Sequence, residues 1–374
     1  MKIKLYKHEE MLFALLRSSL TQNAADVSVF EGATPEEWRK CYLLAEQQGV
    51  KALAWDGVVT LPSEKRPSKQ LYLNWALAVE KYEKQYEHYC RTIAKLTDFF
   101  AQHGILTMQM KGVGFSTYYP HPEHREGGDI DIYTRSADTS VMSDEEANAL
   151  ADRLIQEQGI EVERTTPKHS IFYYDGIPVE NHKCYLNTYC MEKAISVEKV
   201  LKTLDKPERE SLLNGECSIY VPSNAFNSIF ISYHTMQHVS EGLSLHQICD
   251  WACLLNKHGI DIPDEIDDKN FNKSISIFNT FALRFLGSSE APTVCSEEEL
   301  DLFYRFLMRV REDGDILSKN PFVVLSIKYT RFFRRLKLLN IMLGEAILPK
   351  ILNSIYLHIV RPSNIFARKT YFKD

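Results

Sequence analysis

Apolar positions recur at helical spacing through the first hundred residues. MKIKLYKHEEMLFALL carries Glu9 and Glu10 inside its apolar run, so it reads as a helix and not as a signal peptide. Thr34-Pro35-Glu36-Glu37 is a helix start: a capping hydroxyl, Pro in the first turn, then acids that suit the positive end of the helix dipole. Trp38, Tyr42 and Ala45 follow on one face, and Gly49 is placed to end the helix. TLPSEKRPS, residues 60–68, is a Pro-broken linker. A long helical pattern then runs from Leu71 to Gln102 and stops near His103-Gly104.

The period changes at Ile105. ILTMQMKG is a short strand-like run closed by Gly, and GDIDIYT is another, with Ile130 and Ile132 on one face and Asp129 and Asp131 on the other. Ser143 to Gln158 predicts a helix capped by Ser143, with three acids in its first turn. SIFYY and IPVENHKCYL flank Asp175-Gly176, a strong hairpin signal. From Glu192 onward the pattern is mostly helical. The chain therefore reads as α+β: a helical region over 1–103, an α/β core over 104–200, and a helical region with a basic tail over 201–374.

Composition changes this picture little. With 374 residues, 44% apolar and 25% charged, the chain is an ordinary globular protein, long enough for two or three packed units. A formal charge of -6 argues against a protein that coats nucleic acid, and no apolar run is long enough to span a membrane. The eight cysteines are scattered without a Cys-x-x-Cys pair, and Cys249 and Cys253 fall in an apolar helical pattern as buried thiols; this usage suits a reducing cytoplasm. Charge is uneven, however. From Lys328 to Asp374 there are ten Lys or Arg against Glu345 and Asp374. Phe332, Leu336, Leu339 and Leu343 form one helical stripe there. This predicts a packed helix with a solvated basic face; contact with RNA or an anionic membrane are the functional alternatives.

The chemistry gathers in MQMKGVGFSTYYPHPEHREGGDIDIY, residues 108–133. Strand alternation puts Asp129 and Asp131 on one face, roughly 7 Å apart at the base. Their repulsion falls if a divalent cation sits between them, and Mg²⁺ favours carboxylates together with substrate phosphates. Glu180, on the second hairpin strand with Pro178 and His182, offers a third carboxylate; Asp175 is already explained by its turn. An Asp-x-Asp pair is by itself commonly the solvated face of an edge strand. Three neighbours weigh against that: Lys111-Gly112-Val113-Gly114 after a strand, where amides and a Lys meet phosphate; Gly127-Gly128, which lets the chain approach closely; and Arg125, a partner for a phosphate or an acid. His234 and His238 are four apart, as are His246 and Asp250, so each pair shares a helix face. The reading adopted for these histidines is a cleft wall set against the core. Buried structural histidines and a metal-binding set are the alternatives.

MKGVGFSTYYP…HREGGDIDIY resembles the nucleotidyltransferase superfamily related to DNA polymerase beta, and more narrowly a bacterial uncharacterised nucleotidyltransferase family whose pattern runs Leu-Lys-Gly, Tyr-Pro, Arg, Asp-hydrophobic-Asp. PVENHKCYL matches the family's acid-x-His strand through Glu180 and His182. SYHTMQHVSEGLSLHQICDWACLL matches its helical positions through His234, His238 and Asp250, and EEWRKCYLLAEQQGV is similar to its Trp-bearing helix. The similarity covers about residues 34–260.

The resemblance implies a small mixed β-sheet core flanked by helices, and transfer of a nucleotide from an NTP such as ATP to an acceptor, with release of pyrophosphate. It implies two Mg²⁺, or Mn²⁺ in their place, on Asp129, Asp131 and Glu180, with Glu180 on the acceptor side and able to take the acceptor proton directly or through water. Lys111, Gly112, Gly114, Ser116 and Arg125 are the expected nucleotide contacts on the loop side. His182, His234, His238 and Asp250 are those on the strand and helices. The superfamily's usual Gly-Ser pair is replaced by Gly-Val-Gly, so Ser116 or backbone amides take its role. The acceptor is open: a sugar, another small metabolite, a protein side chain or a tRNA end. Two other readings use the same residues: a non-catalytic nucleotide-binding module, and a metal-dependent phosphohydrolase built on His234, His238 and Asp250.

Overall fold

The computed structural model describes residues 3–164, 167–188, 192–240, 242–260, 262–288, 291, 293–309, 319–344 and 347–360. Helices α1 (Lys7–Thr21), α2 (Pro35–Gln47), α3 (Lys51–Thr60) and α4 (Lys69–Ala101) come first. α2 starts where its signal places it. The Glu37 N–H donates to Thr34 Oγ1 at 3.2 Å and the Thr34 N–H donates back to the Glu37 carboxylate at 2.7 Å, a closed capping box. α4 buries Trp75, Val79, Tyr86, Cys90, Ile93, Leu96 and Phe100 at helical spacing. Its 33 residues make a rod roughly 50 Å long that reaches from the first helices to the sheet.

The sheet is built from β1 (Ile105–Gln109), β2 (Ile130–Ser136), β3 (Val162–Glu163), β4 (His169–Tyr174), β5 (Ile177–His182), β6 (Glu208–Leu212) and β7 (Cys217–Val221). Its order is β3-β4-β5-β2-β1-β7-β6. β1 and β2 are antiparallel, β2 and β5 parallel, and β4 and β5 form the hairpin turned at Asp175-Gly176. The short α5 (Val113–Ser116) lies between β1 and β2, α6 (Asp144–Glu157) follows β2, and α7 (Glu192–Leu204) precedes β6. This is the mixed-sheet α+β architecture the sequence led us to expect. The β6–β7 hairpin departs from the helical pattern read after Glu192. It turns through Leu213, Asn214 and Gly215, all at positive φ, and extends the sheet beyond β1.

Side-chain alternation gives the sheet two different faces. Ile105, Ile130, Ile132, Phe172, Ile177 and Val179 pack with α4 and α6 in one apolar cluster. Met108 and Tyr133 face the other way, into a larger cluster with the first helices and with α8 (Asn224–His238), α9 (Leu245–His258), α10 (Lys269–Phe281) and α11 (Glu297–Arg309). Asp131 and Tyr133 share that second face, so the carboxylates point toward the helical side.

The chain ends in α12 (Pro321–Arg334), α13 (Leu336–Leu343) and α14 (Ile347–Val360). The apolar stripe expected over 332–343 is split by the α12–α13 break: Leu339 and Leu343 are buried, whereas Leu336 is exposed. Residues 361–374 of the basic tail lie outside the described residues. No described helix is long and apolar enough to cross a membrane. Cys249 and Cys253 are buried, and the described cysteines are free.

Candidate active site

The parallel pairing of β2 with β5 sets Asp131 opposite Glu180 and Tyr133 opposite His182. Asp129, at the entry to β2, completes the group, and one oxygen from each of Asp129, Asp131 and Glu180 lies within 4.8 Å of the others. Two carboxylates two residues apart and a third some fifty residues later thus converge on one point.

Their electrostatics are unequal. The neighbouring Asp131 carboxylate, then burial, push the Asp129 carboxyl up to about 7. Burial would raise Asp131 as well, but Lys111 and the His182 hydrogen bond outweigh it and hold that carboxyl at about 2. Lys111 Nζ is 2.8 Å from Asp131 Oδ1. Glu180 is held well below the carboxylate range: burial is overcome by hydrogen bonds from His169 and His182. The cluster carries more negative charge than Lys111 neutralises, and its donors are all hard oxygens. Three such carboxylates fit Mg²⁺.

The Gly-Val-Gly loop has structural reasons for both glycines. Gly112 sits at φ 57°, directly beside Asp129, whose carbonyl oxygen a Cβ would approach to 3.4 Å. A Cβ on Gly114 would come within 2.6 Å of the Gln109 carbonyl oxygen, so α5 packs against the end of β1 only without one. Ser116 is buried, and its hydroxyl donates to the Val113 carbonyl at 2.6 Å and to Tyr86. It closes α5 rather than facing the carboxylates.

Arg125 and Asp250 are brought together with each other. The guanidinium donates to both Asp250 oxygens at 2.9 and 2.8 Å, and the Tyr119 hydroxyl donates to Asp250 Oδ1 at 2.6 Å. The buried pair ties the loop before β2 to α9. The same loop is anchored on the N-terminal helices: His124 bridges Asp56 at 2.7 Å and Glu83 at 3.1 Å, and the Glu126 carboxylate accepts from the Ala52 N–H at 3.0 Å. Val50 offers α3 no side-chain cap, so Glu126 supplies one from seventy residues away.

His234 and His238 stack edge-on, ring centres 4.4 Å apart, on α8. Burial, then the charge of Lys111, holds His234 well below its ordinary pKa. Among the described residues, His234, His238 and Asp250 do not converge as a ligand group. Asp250 is committed to Arg125 and Tyr119, which removes the basis for the phosphohydrolase reading.

The sequence reading missed His169, whose Nδ1 lies 2.7 Å from Glu180 Oε2. The signal was countable. A two-residue turn at Asp175-Gly176 pairs Tyr174 with Ile177, and stepping outward pairs His169 with His182. It also missed the aromatic cleft beside Asp129, walled by Tyr82, Tyr86 and Tyr89 of α4 with Gly112 and Arg125.

No curated protein and no solved structure matches this chain. A family model described as "Uncharacterised nucleotidyltransferase" matches residues 34–273, more than half of the chain, from α2 into α10. That span holds the sheet, the three carboxylates, Lys111 and the Arg125–Asp250 pair. The chain belongs to this uncharacterised nucleotidyltransferase family.

Proposed function

We propose that the protein transfers a nucleotide from an NTP, with ATP the first to assay, to an acceptor nucleophile and releases pyrophosphate. The observation that carries this is the convergence of Asp129, Asp131 and Glu180 from two parallel strands. Bound there, divalent cations would neutralise triphosphate charge and lower the pKa of the attacking group. The residues' own roles follow from their placement. Asp129 and Asp131 would hold the cations, and Glu180, whose carboxyl is held low by hydrogen bonds from His169 and His182, would add a third ligand and take the acceptor proton directly or through water. Lys111 neutralises phosphate charge from the end of β1. The Gly112–Gly114 turn lies beside the same point, with Gly112 next to Asp129, and the α4 tyrosines line the cleft there. The free described cysteines agree with a reducing, cytoplasmic setting.

The test is transfer of labelled nucleotide by purified protein, with Asp129→Ala/Asp131→Ala as control. A double variant that keeps wild-type transfer refutes the reading. Thermal shifts with each NTP, with and without Mg²⁺, separate it from a non-catalytic module: stabilisation that needs both nucleotide and metal supports transfer, and nucleotide binding indifferent to metal supports the module. For the basic segment, salt-sensitive retention of tRNA against pelleting with anionic liposomes decides between its two functional alternatives.

A further inference from the structure

The imidazoles behind the carboxylates are arranged as ligands. His169 on β4 and His182 on β5 pair across the hairpin and stand on the same face as Glu180. His169 Nδ1 is 2.7 Å and His182 Nε2 is 3.2 Å from the same oxygen, Glu180 Oε2. His182 Nε2 is also 2.9 Å from Asp131 Oδ1. One ligand atom from each of His169, Glu180 and His182 lies within 4.8 Å of the others, a second convergent group that shares Glu180 with the oxygen cluster. Donors held about 2.1 Å from one ion sit about 3.0 Å apart in an octahedron and about 3.4 Å apart in a tetrahedron, so the 3.2 Å contact has that spacing and the 2.7 Å contact opens by a few tenths of an ångström to admit an ion.

We propose that His169, His182 and Glu180 hold a divalent first-row transition-metal ion. The reason is ligand chemistry. Mg²⁺ takes oxygen and dehydrates reluctantly, whereas imidazole nitrogen is a ligand for Mn²⁺, Fe²⁺, Co²⁺ and Zn²⁺. Two imidazoles and one carboxylate on adjacent strands therefore give this end of the cluster a selectivity that Asp129 and Asp131 lack. His182 is fully buried and the His169 side chain is 14% exposed, and a ring nitrogen of each lies against the Glu180 carboxylate. Assigning this ion to the acceptor side rests on the nucleotidyl-transfer reading; the ligand set does not. Two N–H donors clamping one carboxylate would share this geometry, so the deciding readout has to detect nitrogen on the metal.

The experiment adds Mn²⁺ alone to the full wild-type chain and records electron spin-echo modulation. The expected result is ¹⁴N coupling from imidazole. It persists in Asp129→Ala, which removes no ligand of this set. In calorimetric titrations His169→Ala and His182→Ala each weaken Mn²⁺ and Zn²⁺ binding by at least about tenfold and change Mg²⁺ binding by less than about threefold. The proposal is overturned if Mn²⁺ does not bind, if it binds without nitrogen coupling, or if folded histidine variants bind it as wild type does. The wild-type spectrum decides the matter even if a variant fails to fold. Since no turnover is measured, loss of the transfer reading through an active Asp129→Ala/Asp131→Ala protein would leave this result standing, and the reverse holds as well.

Discussion

Removing the Asp250 carboxylate is the sharpest stability test the structure offers. Asp250 and Arg125 side chains are each only 5% exposed, and they meet through two parallel hydrogen bonds. Asp250→Ala leaves a guanidinium buried without its counter-charge and takes the acceptor from the Tyr119 hydroxyl. Breaking one side of such a pair costs about 3–5 kcal/mol. Set against a total stability of about 5–15 kcal/mol, that is a fifth or more of what holds the protein folded. Replacing both partners, Arg125→Met with Asp250→Leu, removes the stranded charge and is expected to recover most of the loss. Urea unfolding of wild type, both single variants and the double variant closes the cycle and yields the coupling energy. The same variants separate two roles for Arg125. As a tie between the loop and α9, it should affect stability while folded protein keeps its NTP affinity to within a few fold. The reasoning fails if Asp250→Ala costs under about 1 kcal/mol, or if the double variant is as unstable as the two singles combined.

Other outcomes follow from the same geometry. Lys111→Ala removes the cation on Asp131 and should lower turnover and NTP affinity together, read from kcat and KM in the transfer assay. Ser116→Ala should leave NTP affinity within about twofold, because its hydroxyl is already bound to the Val113 carbonyl; a large loss in a nucleotide titration would return Ser116 to phosphate binding. Burial would lower His124, but Asp56 and Glu83 raise it to about 9 from an ordinary 6.5. Its contribution, at most about 3 kcal/mol, is thus complete below pH 6.5 and is lost as pH rises through 9. Melting curves should show wild type losing more stability between pH 6 and 9.5 than His124→Gln does.

What could be read from the chain was whatever its chemistry keeps local. The helix start at Thr34-Pro35, the Asp175-Gly176 turn and the alternation of Ile130 and Ile132 against Asp129 and Asp131 are each fixed within a few residues, and each stands as read. Glu180 was legible because the hairpin placed it on the right face. The β6–β7 hairpin was missed although Asn214-Gly215 is itself a hairpin signal. Its strand ERESL is polar, half of it faces solvent at the sheet edge, and helical periods surround it. The partnership of Arg125 with Asp250 had no local signal at all. Either residue alone reads as a phosphate or metal contact, and only the packing of α9 against the loop shows that each satisfies the other. Ser116 illustrates the same limit, since a hydroxyl near a glycine loop reads as a phosphate donor until its own helix turns it inward.

The parallel register of β2 and β5 has a consequence for length. Asp131 and Glu180 stay opposite each other through hydrogen bonds made only by the two strands, whatever the chain does between them. That excursion, with its exposed 137–141 turn, can gain or lose residues without moving the cluster. A deletion of one residue between Ile177 and Glu180 cannot be absorbed in this way. It would slide the strand by one step, send Glu180 and His182 into the apolar layer under α4 and α6, and bring Val179 or Asn181 out in their place. The two segments are therefore unequal in what they tolerate: the long connection is elastic, and the six residues of β5 are a ruler.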